Sequence, residues 1–499
     1  MHAPWYLILL LPLSLAAQAK APAGGAAGSI TSQDIQRRIT AIAHDSMLGR
    51  DNPSPGLERT AKYVATEFHR LGLRPGADTG YFQRFALSRW TMDSRRSTIT
   101  LEGRGARRAV KVATEVRYVD GRIPAEPVRG GVTLLAGSPG SAPDLQDRIA
   151  LVLMDYTKPL PASLGPDIYR LAASGVAAVL LLSNRDSATF AERLRTAATP
   201  RLRREGARDL DSIAPILEVH ERTLGSFLTG VGIHPDQLRR SRAPSRKAIR
   251  DMQAEIRLER DVHSRVELPN VIGIMEGSDP RLRDEYVAFT AHIDHIGVSP
   301  GQRDSINNGA DDNASGVAGL LELAEAFSQP GARPRRSLLF LTPSAEEPGL
   351  LGSAHFTDHP TVPLRSIVAN INMDLIGRNW PDSVIAVGLE QSDLGKVLAG
   401  VVSAHPELRM TPIADRWPEE RIFYRSDHYN FARKGVPILF FTSGTHPDYH
   451  RPSDEPARIN AEKASRLVRL LYYLGETVSN RDQRPEWSPE SYRQIVERK

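Results

Sequence analysis

At 499 residues the chain is longer than one hydrophobic core usually organises, so two domains are expected, one of them inserted in the other. With 40% apolar and 25% charged residues it has the composition of a globular protein, and a formal charge of +5 over that length is too weak a field to imply a nucleic-acid partner. The sequence holds no cysteine, which excludes disulfides, thiolate metal ligands and a cysteine nucleophile within it.

The apolar run Trp5 to Leu13, followed by Ala17-Gln18-Ala19, reads as a signal peptide over residues 1–19 with cleavage before Lys20. Export to a bacterial periplasm or the medium is the expectation, with no stable membrane anchor once the peptide is removed. Ile35, Ile39 and Ile42 recur at helical spacing, and Leu57, Ala61, Val64, Phe68 and Leu71 keep to one face until Gly72 ends a second helix. From 93 to 262 the texture changes to short β-rich runs, Ile149–Met154 and Ala177–Leu182 among them, without spaced His, Asp or Glu. That segment reads as an inserted, non-catalytic β-rich domain closed by a basic linker, Arg239 to Arg250, and the cluster Arg201–Arg204 as a solvated loop. From Leu268 onward, aliphatic runs alternate with helical patterns, which predicts an α/β fold with a mixed, largely parallel sheet covered by helices on both faces. Residues 30–92 and 263–480 therefore form one discontinuous domain, and 481–499 a polar tail.

The chemistry gathers in this second region. His292, Asp312, Glu346, Glu347, Asp374 and His450 all fall at or just after the C-terminal ends of expected strands, the rim on which open α/β sheets bind ligands. Any one of them alone is explained as well by a loop or a helix cap. Together, two imidazoles and several carboxylates are a donor set for a pair of Zn²⁺ ions sharing one carboxylate, with open positions for water. The Gly-bounded turn Gly309-Ala310-Asp311-Asp312-Asn313-Ala314-Ser315-Gly316 then opens a helix.

The runs His292-Ile293-Asp294, Gly309 to Gly316, Glu346 to Ser353, Asn372-Met373-Asp374 and Tyr449-His450 resemble, in order, the motifs of the cocatalytic dizinc aminopeptidase and glutamate carboxypeptidase family, with His44 to Arg50 and Ser426 to Phe431 similar to its bacterial secreted, leucyl-aminopeptidase-like members. The inserted segment resembles a protease-associated domain by its strand texture. The resemblance implies a zinc exopeptidase fold and a secreted metalloprotease that hydrolyses N-terminal residues from peptide substrates. By the same resemblance His292 and Asp374 would bind one zinc and Glu347 and His450 the other, with Asp312 bridging. Glu346 would be the general base toward a water shared by the two ions, and Asp294 would hold the His292 ring. Tyr424 is the candidate for steadying the oxyanion or contacting substrate. The rival readings are a dizinc carboxypeptidase or amidohydrolase, a glutaminyl cyclase on the same fold, and a binding protein that has lost catalysis.

Overall fold

The computed structural model describes residues 25–497, apart from 138–144, 162–163, 205–212, 241–244, 300, 302 and 418–419. The segment read as a signal peptide lies outside the described residues. No helix among the described residues is long and apolar enough to cross a membrane.

Two helices open the chain. Ser32–Ile42 starts where the Thr31 hydroxyl accepts the Asp34 amide, and it turns Ile35, Ile39 and Ile42 wholly inward. Pro55–Arg70 begins with proline in its first turn, where a missing N–H costs nothing, and Ser54 caps it by accepting the Leu57 amide. Gly72, at φ 73°, releases the chain from that helix in a left-handed turn that a side chain would strain.

The body is a ten-stranded sheet. Its centre is parallel, in the order Ile438–Thr442, Ile367–Met373, Tyr286–Thr290, Ser337–Thr342. All four strands are buried along almost their whole length, as strands covered on both faces must be. The helix Gly316–Phe327 is buried on all sides, and Ala461–Asn480, capped by the Asn460 side chain on the Lys463 amide, packs beside it. The margins are antiparallel: Arg260–Met275 pairs with Ser337–Thr342 on one side and with Phe82–Met92 on the other.

Phe82–Met92 and Arg260–Met275 run on together as a long ribbon, and the chain between them forms a second, eight-stranded sheet with its own apolar clusters. Three of its pairings are parallel, and two of these are connected through the helices Leu164–Ala173 and Ser187–Ala197, so this lobe has an α/β core flanked by antiparallel strands. Two expectations are corrected. The basic stretch expected to be a linker contributes the helix Pro235–Arg240 and the start of the strand Ser245–Arg257, because its alternation also carries Met252, Ala254 and Ile256 to the core. Arg201–Arg204 is not a loop but an edge strand laid antiparallel on Phe82–Met92, so that the second lobe reaches back into the body sheet. Beyond 481 the tail is also built in: Trp487 donates to the Gly435 carbonyl and Pro489–Ile495 is a helix.

Candidate metal centre

The parallel strands deliver their ends to one rim. Tyr286–Thr290 leads into His292, Ser337–Thr342 into Glu346 and Glu347, Ile367–Met373 into Asp374, and Ile438–Thr442 into the loop that carries His450. Asp312 arrives from the Gly309-led turn in front of Gly316–Phe327. The Asp312 carboxylate stands between two sets of donors. Its Oδ1 lies 3.4 Å from His292 Nε2, which is also 3.4 Å from Asp374 Oδ1. Its Oδ2 lies 3.2 Å from His450 Nε2, which is 3.2 Å from Glu347 Oε2. Two clusters of potential metal-holding side chains result, His292 with Glu346 and Asp374, and His295 with Asp312, Glu347 and His450. Every candidate ligand named from the sequence is therefore in one place, and so is Glu346.

His295 had no role in the sequence reading. Its Nδ1 sits 2.8 Å from Glu347 Oε1 and 3.8 Å from Asp312 Oδ2, so it ties Glu347 down from the side opposite His450. The signal was the second histidine of His292-Ile293-Asp294-His295. Asp294 faces the His292 ring, with its carbonyl 3.2 Å and its Oδ1 3.7 Å from His292 Nδ1, and its carboxylate also holds the next loop: Oδ1 accepts the Glu346 amide and Oδ2 the Glu347 amide. One buried carboxylate thus fixes the backbone of both glutamates. Asn52 donates to Asp294 Oδ2 at 2.6 Å and accepts the amide of Ala345, which lies at φ 56° just ahead of them. Arg50, fully buried, donates to the carbonyls of Ile293, Asn308, Gly309 and Asp312 and so binds the two ligand-bearing loops together. Asp374 is held from behind, with Ser426 donating to Oδ2 at 2.9 Å and Asn372 donating to Ser426. Asp427 and His428 are buried beside this chain, and His428 stacks on Phe440.

The electrostatics call for a cation. Burial pulls the His292 imidazole down, but the facing carboxylates of Asp374 and Glu346 prevail and raise its pKa well above the ordinary value. Burial likewise opposes a charge on His450, and Asp312 and Glu347 overcome it, raising the pKa to about 10. For Glu346 burial and the neighbouring carboxylates of Asp374 and Glu347 outweigh His292, so its pKa stands well above the carboxylate range. Burial also raises Asp427, to about 7. Glu347 goes the other way, because hydrogen bonds with His295 and His450 outweigh burial. A cation bound among these carboxylates would satisfy them in place of protonated imidazoles, and metal binding displaces such protons. His292 Nε2 and Asp374 Oδ1, which face each other at 3.4 Å, are both buried without a hydrogen-bond partner, as two ligands of one cation would be. The donor set therefore fits two borderline-hard cations such as Zn²⁺.

Tyr424 is exposed and lines a cavity of about 300 Å³ that opens on Glu346, Glu347, Asp374 and His450, with Trp417, Ile422 and Phe440 as its apolar wall. Tyr449 stacks on His450 at 3.9 Å and lines the same cavity.

A helix-covered mixed sheet with a His and carboxylate cluster at the ends of its parallel strands is the plan of a metallopeptidase fold. Residues 270–475 match the model of peptidase family M28. The chain is 29% identical over 211 residues to Aminopeptidase YwaD of Bacillus subtilis (strain 168), covering 40% of this chain and 43% of the relative. It is 40% identical over 215 residues to Leupeptin-inactivating enzyme 1 of Streptomyces exfoliatus, covering 42% of this chain and 43% of that one. The chain thus spans less than half the length of these curated relatives. Among solved structures, the aminopeptidase from Aneurinibacillus sp. strain AM-1 superposes with a TM-score of 0.53 at 16% identity, covering 92% of this chain and 96% of that one, and so shares the fold.

Proposed function

We propose that the protein is a two-zinc aminopeptidase, exported by its N-terminal segment, that removes N-terminal residues from peptides. The observation that carries this is the placement of the Asp312 carboxylate between two His and carboxylate pairs, one oxygen toward each. On this reading His292 and Asp374 would hold one ion, Glu347 and His450 the other, and Asp312 would serve both. Bound there, the ions supply Lewis acidity toward the scissile carbonyl and toward water.

The chain's own residues do the rest. Glu346 lines the cavity and is 9% exposed, and its raised proton affinity suits a base that takes a proton from the attacking water and returns it to the leaving amine. Asp294 keeps Glu346 and Glu347 in place through their amides. The cavity beyond, walled by Trp417, Ile422 and Phe440, takes an apolar N-terminal side chain, and Tyr424 stands at its mouth as the hydroxyl for the oxyanion. The lobe at 93–262, read as protease-associated-like, borders the site and shapes access to it.

Metal analysis of the purified protein, together with hydrolysis of free-amine and N-acetylated aminoacyl anilides, tests the reading. About two zincs per chain with cleavage of the free-amine members alone supports it. Cleavage of blocked substrates points to a carboxypeptidase or amidohydrolase, and about one zinc with closure of N-terminal glutamine points to a cyclase.

A further inference from the structure

A second cavity, of about 480 Å³, adjoins the metal centre on the side away from Trp417 and Tyr424. Both cavities reach Glu347, but only the second reaches His295. Its wall carries four arginines from three strands: Arg89 on Phe82–Met92, Arg260 on Arg260–Met275, and Arg201 and Arg203 on the edge strand that the second lobe lays against the body. Two carboxylates, Asp51 and Asp120, share the wall, and Asp120 is already engaged by the Tyr169 hydroxyl and the Gly121 amide. Arg201 donates to the carbonyls of Tyr118 and Val119. Arg89 is exposed and acts on the Asp51 carboxylate through its charge, while Arg260 is part-buried, its guanidinium 5.2 Å from the centre of the Trp90 ring and its Nε buried without a hydrogen-bond partner. Setting aside Glu347 and His295, which belong to the metal cluster, this wall is cationic, and Arg260 Nε is a donor on it left without a partner.

A planar fork of N–H donors is matched by a carboxylate, and such a pair gains strength where a cavity wall shields it from water. The position says which carboxylate. A peptide whose N-terminal side chain fills the Trp417 cavity lays its scissile bond over the cluster, and its remaining residues pass Glu347 toward the arginines. We propose that Arg89 and Arg260 bind the free C-terminal carboxylate of short peptide substrates, so that the protein favours peptides of one narrow length. The inference rests on the aminopeptidase reading for the direction in which the peptide lies.

The test uses Leu-(Gly)n peptides of increasing length, each as the free acid and as the C-terminal amide, with leucine anilide as a substrate lacking both groups. The expected result is a length at which kcat/KM for the acid exceeds that for the amide by about tenfold or more, as a charge-assisted pair requires. Raising the salt should shrink that ratio. In R89Q and R260Q the acid-to-amide ratio should fall, and in the double variant it should approach one, while R260K retains part of it and shows that the fold survives. Equal rates for acid and amide at every length, or a ratio that persists in the double variant, overturns the carboxylate site. If leucine anilide is cleaved and no acid preference exists, the site fails and the aminopeptidase reading stands. If nothing is cleaved, that reading fails, and equilibrium binding of triglycine against triglycinamide decides the site. Tighter binding of the acid, lost in the double variant, supports it, and equal binding overturns it.

Discussion

Glu346 and Glu347 are adjacent, yet their environments drive them apart. Glu347 lies between two imidazoles and stays ionised, whereas Glu346 faces other carboxylates and binds a proton readily. That division is what a ligand beside a base needs. Replacing Glu346 by Gln keeps the shape and removes the proton acceptor, so the metal content measured by mass spectrometry should be unchanged while turnover drops about 10²–10⁴-fold. Asp312→Asn should instead lower both metal content and turnover, since an amide cannot serve two cations with two anionic oxygens. Full retention of both metals in that variant would remove Asp312 from the bridge. The roles that the sequence left unassigned share one property. Arg50 meets carbonyls more than 240 positions away, Asn52 meets Asp294 across 242 and His295 meets Glu347 across 52. Strand-end ligands announce themselves by the apolar runs before them, but partners reached only through folding leave no local pattern.

The elements behind the site are packed to contact. Along Ala461–Asn480, Gly475 leaves room for the Phe289 ring: a Cβ there would stand 2.5 Å from Phe289 Cζ and 3.3 Å from Phe327 Cζ. Alanine would gain about 1 kcal/mol of helix propensity. Overpacking against two buried rings costs about 1–3 kcal/mol and prevails, because Phe289 and Phe340 are stacked at 5.5 Å and cannot yield. Gly475→Ala should therefore lower stability by up to about 2 kcal/mol in urea titration, and a gain would show that the core relaxes around the ring. The helices themselves were legible in the sequence, since Ile35, Ile39 and Ile42 repeat at helical spacing and Asn460 announces a start. Arg201–Arg204 was not, because four residues with three arginines carry no strand pattern; the exposed edge of Phe82–Met92 makes it one.

Across the whole molecule, buried charge links stability to solution conditions. Lys463 is wholly buried, donating to Ser443 Oγ and to the Arg378 carbonyl, and burial lowers its pKa from 10.5 to about 8. Between those two values the unfolded chain keeps a proton that the folded chain has released. Stability should thus rise with pH across that window, by at most about 3 kcal/mol. Urea titrations from pH 7.5 to 10.5 should show this slope in the wild type and its loss in Lys463→Met, and identical slopes would mean that the ammonium is solvated. Removal of metal acts through the cluster at the sheet rim. A chelator should lower Tm, and zinc added back should restore it in a concentration-dependent way, as for any ligand that binds only the folded state.

Sequence alone determined the alternation of buried strands and helices, the parallel centre they imply, and which side chains stand at the strand ends, because periodicity and apolar runs are local properties of the chain. The tertiary structure alone decided how the two lobes share a sheet edge. It also decided how Asp294, Asn52 and Arg50 lock the loops around the cluster, and that four arginines meet beside it. Those features depend on contacts between distant segments, and the energy of such a contact is set by where the fold brings two groups, not by their neighbours in the chain.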